Sequence, residues 1–367
     1  MRAMRNLLVA TAVVLAGLLI VPSSPHSARA DDTAQSSLES GTWAKPIKRA
    51  NPRYPRVESR RGVEGWVQVS FVVNPDGSVG DTFIEDSSGR KTFERETIKT
   101  IRKWRYEPAT MNGEAIEQCH TKVLITFALE PPSDGARGAR GSFKKQYKDT
   151  VQLLDQGKLD EARSNIDEMD EKFVTNLYER SRFWVLNSML QEREGDDLGQ
   201  LASLQRSVSG GGECVEPSVY QAILSKIFNL ELKFQRYANA LKTIETLKTL
   251  DLDDGMVQRL DQIGLEIEAI RTKESVIAIE ADISEAHEEY DGAGMWWHTL
   301  LRRTAGIEAV SGSLERVELR CDWRRVKAKP EKGRAWRIPP DWGDCSIYVF
   351  GEPGSTFQLL EYASTTP

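Results

Sequence analysis

The chain has 367 residues and a formal net charge of -6, with 49 Lys and Arg against 55 Asp and Glu. That length allows two or three domains, each with its own core. The acidic balance supplies no global basic field, so nucleic acid and an anionic membrane surface are not expected partners.

Arg2 and Arg5 precede an uncharged apolar run from Leu7 to Val21, and Ala28-Arg29-Ala30 then places small residues ahead of Asp31. This is the layout of an export signal over residues 1–30 with its cleavage site. The apolar run falls short of the roughly 20 residues a spanning helix needs. Cleavage is therefore the favoured reading, giving a periplasmic chain that starts near Asp31 with a net charge of about -9. The alternative is an uncleaved anchor in the inner membrane.

Residues 44–131 read as a small α+β domain. Val72-Val73-Asn74-Pro75-Asp76-Gly77-Ser78-Val79 sets Pro-Asp-Gly between two alternating apolar runs, the mark of a hairpin. Val67, Val69, Phe71 and Val73 take one face of the first strand, and Val79 to Phe83 form the return. A helix is predicted from near Thr92 to Glu107, where Pro108 disfavours further α geometry, with Phe93, Ile98, Ile101 and Trp104 as its apolar stripe. Met111-Asn112-Gly113 turns the chain into a last strand, Lys122 to Leu129, with Val123, Ile125 and Phe127 on one face.

Asn51-Pro52-Arg53-Tyr54-Pro55, Gly62-Val63-Glu64-Gly65, Asn74-Pro75-Asp76-Gly77, Ser87-Ser88-Gly89, Phe93, Lys103-Trp104-Arg105-Tyr106-Glu107-Pro108 and Asn112-Gly113 closely resemble the carboxy-terminal domain of the TonB family, in order and at its spacing. The resemblance implies a two-layer domain of hairpin, helix and strand. It also implies that the final strand's edge accepts an extended peptide, such as the TonB box of an outer-membrane transporter. On this basis Lys122, Val123, Leu124, Ile125, Thr126, Phe127, Ala128 and Leu129 are the candidate partner-binding residues. Tyr54 and Pro55 carry over as a packing or partner-contact element.

The residues agree on the edge. Pro131-Pro132 and the Gly-rich run to Gly141 follow directly, with no later strand signal before them. Ile125→Pro is then the obvious probe of an added strand.

Residues 142–272 shift to helical period. Gly157-Lys158-Leu159-Asp160-Glu161-Ala162 resembles the turn and second-helix start of a tetratricopeptide unit, and a step of about 39 residues reaches Leu201 and then Ala240. Three repeat hairpins are expected, as a protein-binding solenoid or a structural spacer.

Residues 273–363 return to strands: Ser275 to Ile283, Leu314 to Trp323, Ser346 to Phe350 and Thr356 to Tyr362. In an exported chain paired thiols persist. Val317, Leu319, Cys321 and Trp323 alternate on one strand and Cys345, Ile347 and Val349 on another, so Cys321 and Cys345 are the expected disulfide of a small all-β domain. Cys119 and Cys214 are left as a second bridge or two free thiols. The clustered tryptophans from Trp296 to Trp342 suit packing, with a glycan platform as the alternative.

No catalytic motif appears: no nucleophile elbow, phosphate loop or metal-ligand cluster, and Ala286-His287-Glu288-Glu289 lacks the second His of a zinc helix. The fold expectation is therefore multidomain α+β: a TonB-like domain, helical repeat hairpins, and a disulfide-linked β domain. The functional expectation is a non-enzymatic, cofactor-free periplasmic module that binds a protein or peptide of the cell envelope. The alternatives are a membrane-anchored energy transducer for outer-membrane uptake and a glycan-binding or hydrolytic envelope factor.

Overall fold

The computed structural model describes residues 41–129, 138–209, 215–284, 293–331 and 333–363. The export signal, Pro131-Pro132, Cys214 and His287 lie outside them.

The opening hairpin forms as its turn chemistry dictates. Strand β3 (Gly65–Val73) returns as β4 (Val79–Ser87), closed by Gly77 N–H to the Asn74 carbonyl at 2.8 Å and Ser78 N–H to Asp76 Oδ1 at 2.9 Å. Gly77 has φ +76°, and a Cβ there would run into the Tyr106 carbonyl, so both the turn and its neighbour require glycine. Ahead of the hairpin lie β1 (Gly41–Thr42), β2 (Lys45–Lys48) and the short helix α1 (Arg56–Arg61). Helix α2 (Lys91–Ile101) crosses one face of the sheet and buries Phe93, Ile98 and Ile101 against Val67, Val69 and Phe71.

Helix α2 stops at Ile101, six residues before the expected Glu107. Arg105–Glu107 is instead β5, paired with β2, and Tyr106 N–H bonds the Gly77 carbonyl at 2.9 Å. The sheet neighbour and the hairpin turn capture this backbone well before Pro108 can act. Trp104 is buried just beyond the helix, with its ring edge-on to Phe71 and its Nε1 donating to the Ala50 carbonyl at 2.8 Å. Strands β6 (Ala109–Met111) and β7 (Glu114–Ile116) form a hairpin in which Asn112 (φ 52°) and Gly113 (φ 86°) occupy the left-handed region. Strand β8 (Gln118–Phe127) then pairs antiparallel with β3, giving the order β4-β3-β8.

Among the described residues seven α-helices follow: α3 (Gly141–Asp155), α4 (Leu159–Lys172), α5 (Leu177–Glu194), α6 (Asp197–Ser209), α7 (Pro217–Lys233), α8 (Tyr237–Lys248) and α9 (Asp254–Ile270). Their ends obey local chemistry. Asn176 and Asp253 cap α5 and α9 by accepting from Glu179 N–H and Met256 N–H, and Gly195 ends α5 at φ +75°. Among the described residues no helix is long and apolar enough to cross a membrane.

Glu231 on α7 is buried and accepts from Thr243 Oγ1 at 2.7 Å and Gln205 Nε2 at 3.2 Å. Burial pushes its carboxyl up to about 7. The folded protein therefore prefers the protonated acid, and this group's contribution is intact below about pH 4 and lost as pH rises towards about 7. Glu231→Gln, which fixes the neutral form, is expected to melt with the parent at pH 4 and above it at pH 8. Equal melting temperatures at pH 8 would refute the assignment.

The last part is built from two four-stranded antiparallel sheets. In chain order the strands are β9 (Ile277–Asp282), β10 (Gly294–Thr299), β11 (Thr304–Ser311), β12 (Leu314–Cys321), β13 (Arg325–Ala328), β14 (Ala335–Arg337), β15 (Cys345–Gly351) and β16 (Thr356–Tyr362). One sheet runs β10-β15-β12-β13 and the other β14-β11-β16-β9. The strand-like runs read from sequence correspond to β9, β12, β15 and β16. The Trp296-Trp297 stretch is a further strand, β10. Cys321 and Cys345 face each other across β12 and β15 and are joined in a disulfide.

A single apolar cluster runs from Leu201 through α7, α8 and α9 into Ile279, Leu319, Ile347 and Leu359, so the helices and the final sheets share one core. The described residues, from 41 to 363, fall within one compact unit.

Candidate peptide-binding edge

The far face of the β4-β3-β8 sheet, away from α2, is covered by the chain's own later segments. Phe83 on β4 packs with Met295, Tyr348 and Phe350 of the β10-β15 pair. Tyr348 donates its hydroxyl to Glu85 Oε1 at 2.7 Å, and Lys122 Nζ lies 2.9 Å from the same oxygen and 4.0 Å above the Trp297 ring. Burial raises the Glu85 carboxyl, but the Lys122 charge and these hydrogen bonds more than offset it and hold it below the ordinary range. Arg325 pairs with Asp81 and Glu117, and Arg206 on α6 reaches Asp86 at 3.0 Å.

A second tie lies at the start of β3. The Glu64 carboxylate accepts from Leu129 N–H at 2.8 Å and Leu177 N–H at 2.9 Å, while Glu64 N–H donates to the Thr175 carbonyl at 2.6 Å. This diverts Leu129 from the sheet. Strand β8 therefore ends at Phe127, and Ala128 and Leu129, expected as strand, lie beyond it.

The direction of each backbone group on β8 can be derived. Trp66 donates to Ser88 Oγ at 3.1 Å and accepts from Ser88 N–H at 2.9 Å, so its polar groups point towards β4. Along an antiparallel strand this direction alternates. Val67 and Val69 therefore face β8, opposite Ile125 and Val123, whose N–H and C=O are used in the ladder. Lys122, Leu124 and Thr126, opposite Ser70, Gln68 and Trp66, turn theirs to the outer edge. Among the described residues no strand pairs with that edge.

The candidate residues thus separate. Val123, Ile125 and Phe127 pack under α2. Lys122 is held in the seam with β10. Leu124 is 42% exposed, and Thr126 is exposed beside it. The choice of Ile125→Pro as the probe is corrected by this register, since that N–H is bound to β3. Tyr54 donates its hydroxyl to the Val63 carbonyl at 2.6 Å and sets its ring edge-on to Phe93 and Phe127, so it braces β8 from the core side. Pro55 is the residue preceding α1. The contacts of Glu64, Glu85 and Trp297 escaped the sequence reading: Glu64 stood there only within the family motif and Trp297 only within the tryptophan cluster, and nothing local distinguishes Glu85 from a surface acid.

Cys119 on β8 is a buried free thiol, pushed up to about 12 by burial and the nearby Glu117 charge. The tryptophans pack: Trp336 lies in the sheet core, Trp296 is edge-on to Phe357, and Trp297 stacks on Tyr348. Among the described residues no cluster of His, Cys, Asp and Glu could hold a metal ion.

A family model described as the Gram-negative bacterial TonB protein C-terminal matches residues 50–129, the segment from before α1 to just past β8. Those residues are a TonB carboxy-terminal domain. The TonB protein of Pseudomonas aeruginosa is 35% identical over 86 residues, covering 23% of this chain and 25% of that protein. TonB of Escherichia coli is 34% identical over 95 residues, covering 26% and 39%. The chain therefore spans well under half the length of these relatives. The solution structure of the P. aeruginosa TonB carboxy-terminal domain is 32% identical, with 24% of this chain and 87% of that one covered at a TM-score of 0.21. In this chain the TonB domain is followed by the helices and paired sheets, and among the described residues no strand pairs with the outer edge of β8.

Proposed function

We propose that this protein is a periplasmic, non-enzymatic interaction module of the TonB type, which binds an extended segment of an envelope partner by strand addition to β8. The observation that carries the reading is the outer edge at Lys122, Leu124 and Thr126, with which no strand among the described residues pairs, and the 42% exposure of Leu124. The partner class is an outer-membrane transporter offering a periplasmic peptide, as the likeness to TonB proteins suggests. About six added backbone bonds at about 1 kcal/mol each, less the cost of ordering the peptide, give weak and reversible binding.

The three segments 44–131, 142–272 and 273–363 act in this reading as a peptide reader, a helical support and a β brace. Ala162, Leu201 and Ala240, spaced by one step and all buried, support a tetratricopeptide-like arrangement of the helices.

Amide hydrogen exchange tests the edge directly. A synthetic peptide from the periplasmic segment of a TonB-dependent transporter is expected to slow exchange at Leu124 and Thr126 at saturation, while Val123 and Ile125 are protected already. Unaltered exchange at Leu124 and Thr126 with bound peptide would place the contact elsewhere.

A further inference from the structure

Residues 43–61 carry a charge pattern that the net count of the chain hides. Their only acid, Glu58, is buried, and its Oε1 accepts from Thr92 Oγ1 at 2.9 Å. Lys45, Lys48, Arg53, Arg56, Arg60 and Arg61 are exposed, and among the described residues none of them enters an ion pair or a side-chain hydrogen bond. Exposed lysines of the helices, such as Lys172, Lys226 and Lys233, stand instead beside Glu168, Glu192 and Asp197.

The TonB domain fixes the path of this segment. Ala44 N–H donates to Gln118 Oε1 at 2.7 Å at the start of β8, Arg49 lies 4.5 Å above the Trp104 ring, and Tyr54 is edge-on to Phe127 at the end of β8. The segment is therefore a strap that follows β8 and ends in α1. Of the acids on the elements packed against it, Glu107 on β5 stands opposite Lys45 in the β2 register, and Glu96 on α2 is taken by Lys99. The excess of positive charge remains. Apolar side chains stand among the cations: Trp43, Ile47 and Val57 are 50%, 72% and 59% exposed, three of the eight large exposed apolar side chains among the described residues. Trp43 rests one side on Trp323, with ring centroids 4.3 Å apart.

The structure assigns residues 43–61 a peripheral contact with an anionic phospholipid surface, in which the six cations meet lipid phosphates and Trp43, Ile47 and Val57 enter the headgroup layer. Fixed cations interspersed with an exposed indole and aliphatic tips suit that boundary, where Trp sits at headgroup level and each Lys or Arg is drawn by the surface potential. The formal charge of -6 argues against such a partner only as an average over the whole chain. An acidic peptide would meet these cations as separate exposed pairs, which contribute little, whereas a bilayer presents many anions at once and also accepts the apolar tips. The contact uses neither the outer edge of β8 nor an uncleaved anchor.

Sedimentation of the exported chain with vesicles of phosphatidylcholine alone, and with about 30% phosphatidylglycerol, tests the assignment. The expected result at about 0.1 M salt is affinity for the anionic vesicles at least about tenfold above that for the neutral ones, falling steeply by about 0.5 M salt. Lys48→Gln, Arg56→Gln and Arg60→Gln combined are expected to remove at least about tenfold of that affinity, and Ile47→Ser at least about threefold, with melting temperatures unchanged because all four side chains are exposed. Combined Lys172→Gln, Lys226→Gln and Lys233→Gln, which alters net charge equally, should leave vesicle binding nearly intact. Equal binding to both vesicles, a strap variant that binds as the parent does, or an equal loss in the helix variant would overturn the proposal. Binding of poly-glutamate without binding of anionic vesicles would overturn it in favour of an acidic peptide. Should the strap variant fail to fold, the ratio of anionic to neutral vesicle affinity on the unaltered chain decides.

Discussion

Leu124→Pro is expected to abolish capture of an extended peptide while costing the fold only about 1 kcal/mol, whereas Ile125→Pro should cost about 3 kcal/mol or more. The two positions are adjacent, yet their backbones point in opposite directions. Leu124 turns its N–H to the open edge, so proline there removes a donor that only an incoming strand uses and sets its ring in that strand's path. Ile125 faces Val67 on β3, and proline at this position breaks a ladder bond and removes a side chain from the core under α2. Chemical denaturation and peptide titration of both variants separate the effects. A stably folded Leu124→Pro protein with parental peptide affinity would rule out strand addition at β8.

Arg320→Ala is expected to destabilise the protein by about 3–5 kcal/mol, the cost of stranding a buried charge. The Arg320 side chain is fully buried, 3.0 Å from Glu318 Oε2, and its guanidinium lies 3.9 Å above the Phe83 ring and 5.0 Å from that of Tyr348. Removing it leaves the Glu318 carboxylate inside with, among the described residues, Arg316 and Lys327 for compensation. Because Phe83 belongs to the TonB domain and Arg320 to β12, the same change loosens the seam between them. A double-mutant cycle with Phe83→Ala should return a coupling of about 1–2 kcal/mol. Additive effects would show that Arg320 serves β12 alone and that the seam is not held through its cation.

Several expectations survived because they rest on local chemistry. Asn74-Pro75-Asp76-Gly77 forms a turn wherever two alternating runs flank it, and Val123, Ile125 and Phe127 share a face because side chains alternate along any strand. The Cys321–Cys345 bridge followed from the same alternation on two strands. The misplaced end of α2 shows the limit. Pro108 marks a position a helix cannot pass, but β2 and the Gly77 carbonyl had already claimed Arg105 to Glu107.

The sequence by itself determined the elements, their apolar faces and the TonB motif spacing, since turns, caps and side-chain period depend on residues a few positions apart. The tertiary structure alone decided which β8 amides point away from β3, because N–H direction depends on the strand that pairs and on its register. It also decided that Lys122 lies in a seam. Those outcomes depend on contacts such as Tyr348 with Glu85, 263 residues apart in the chain, whose pairing no local pattern specifies.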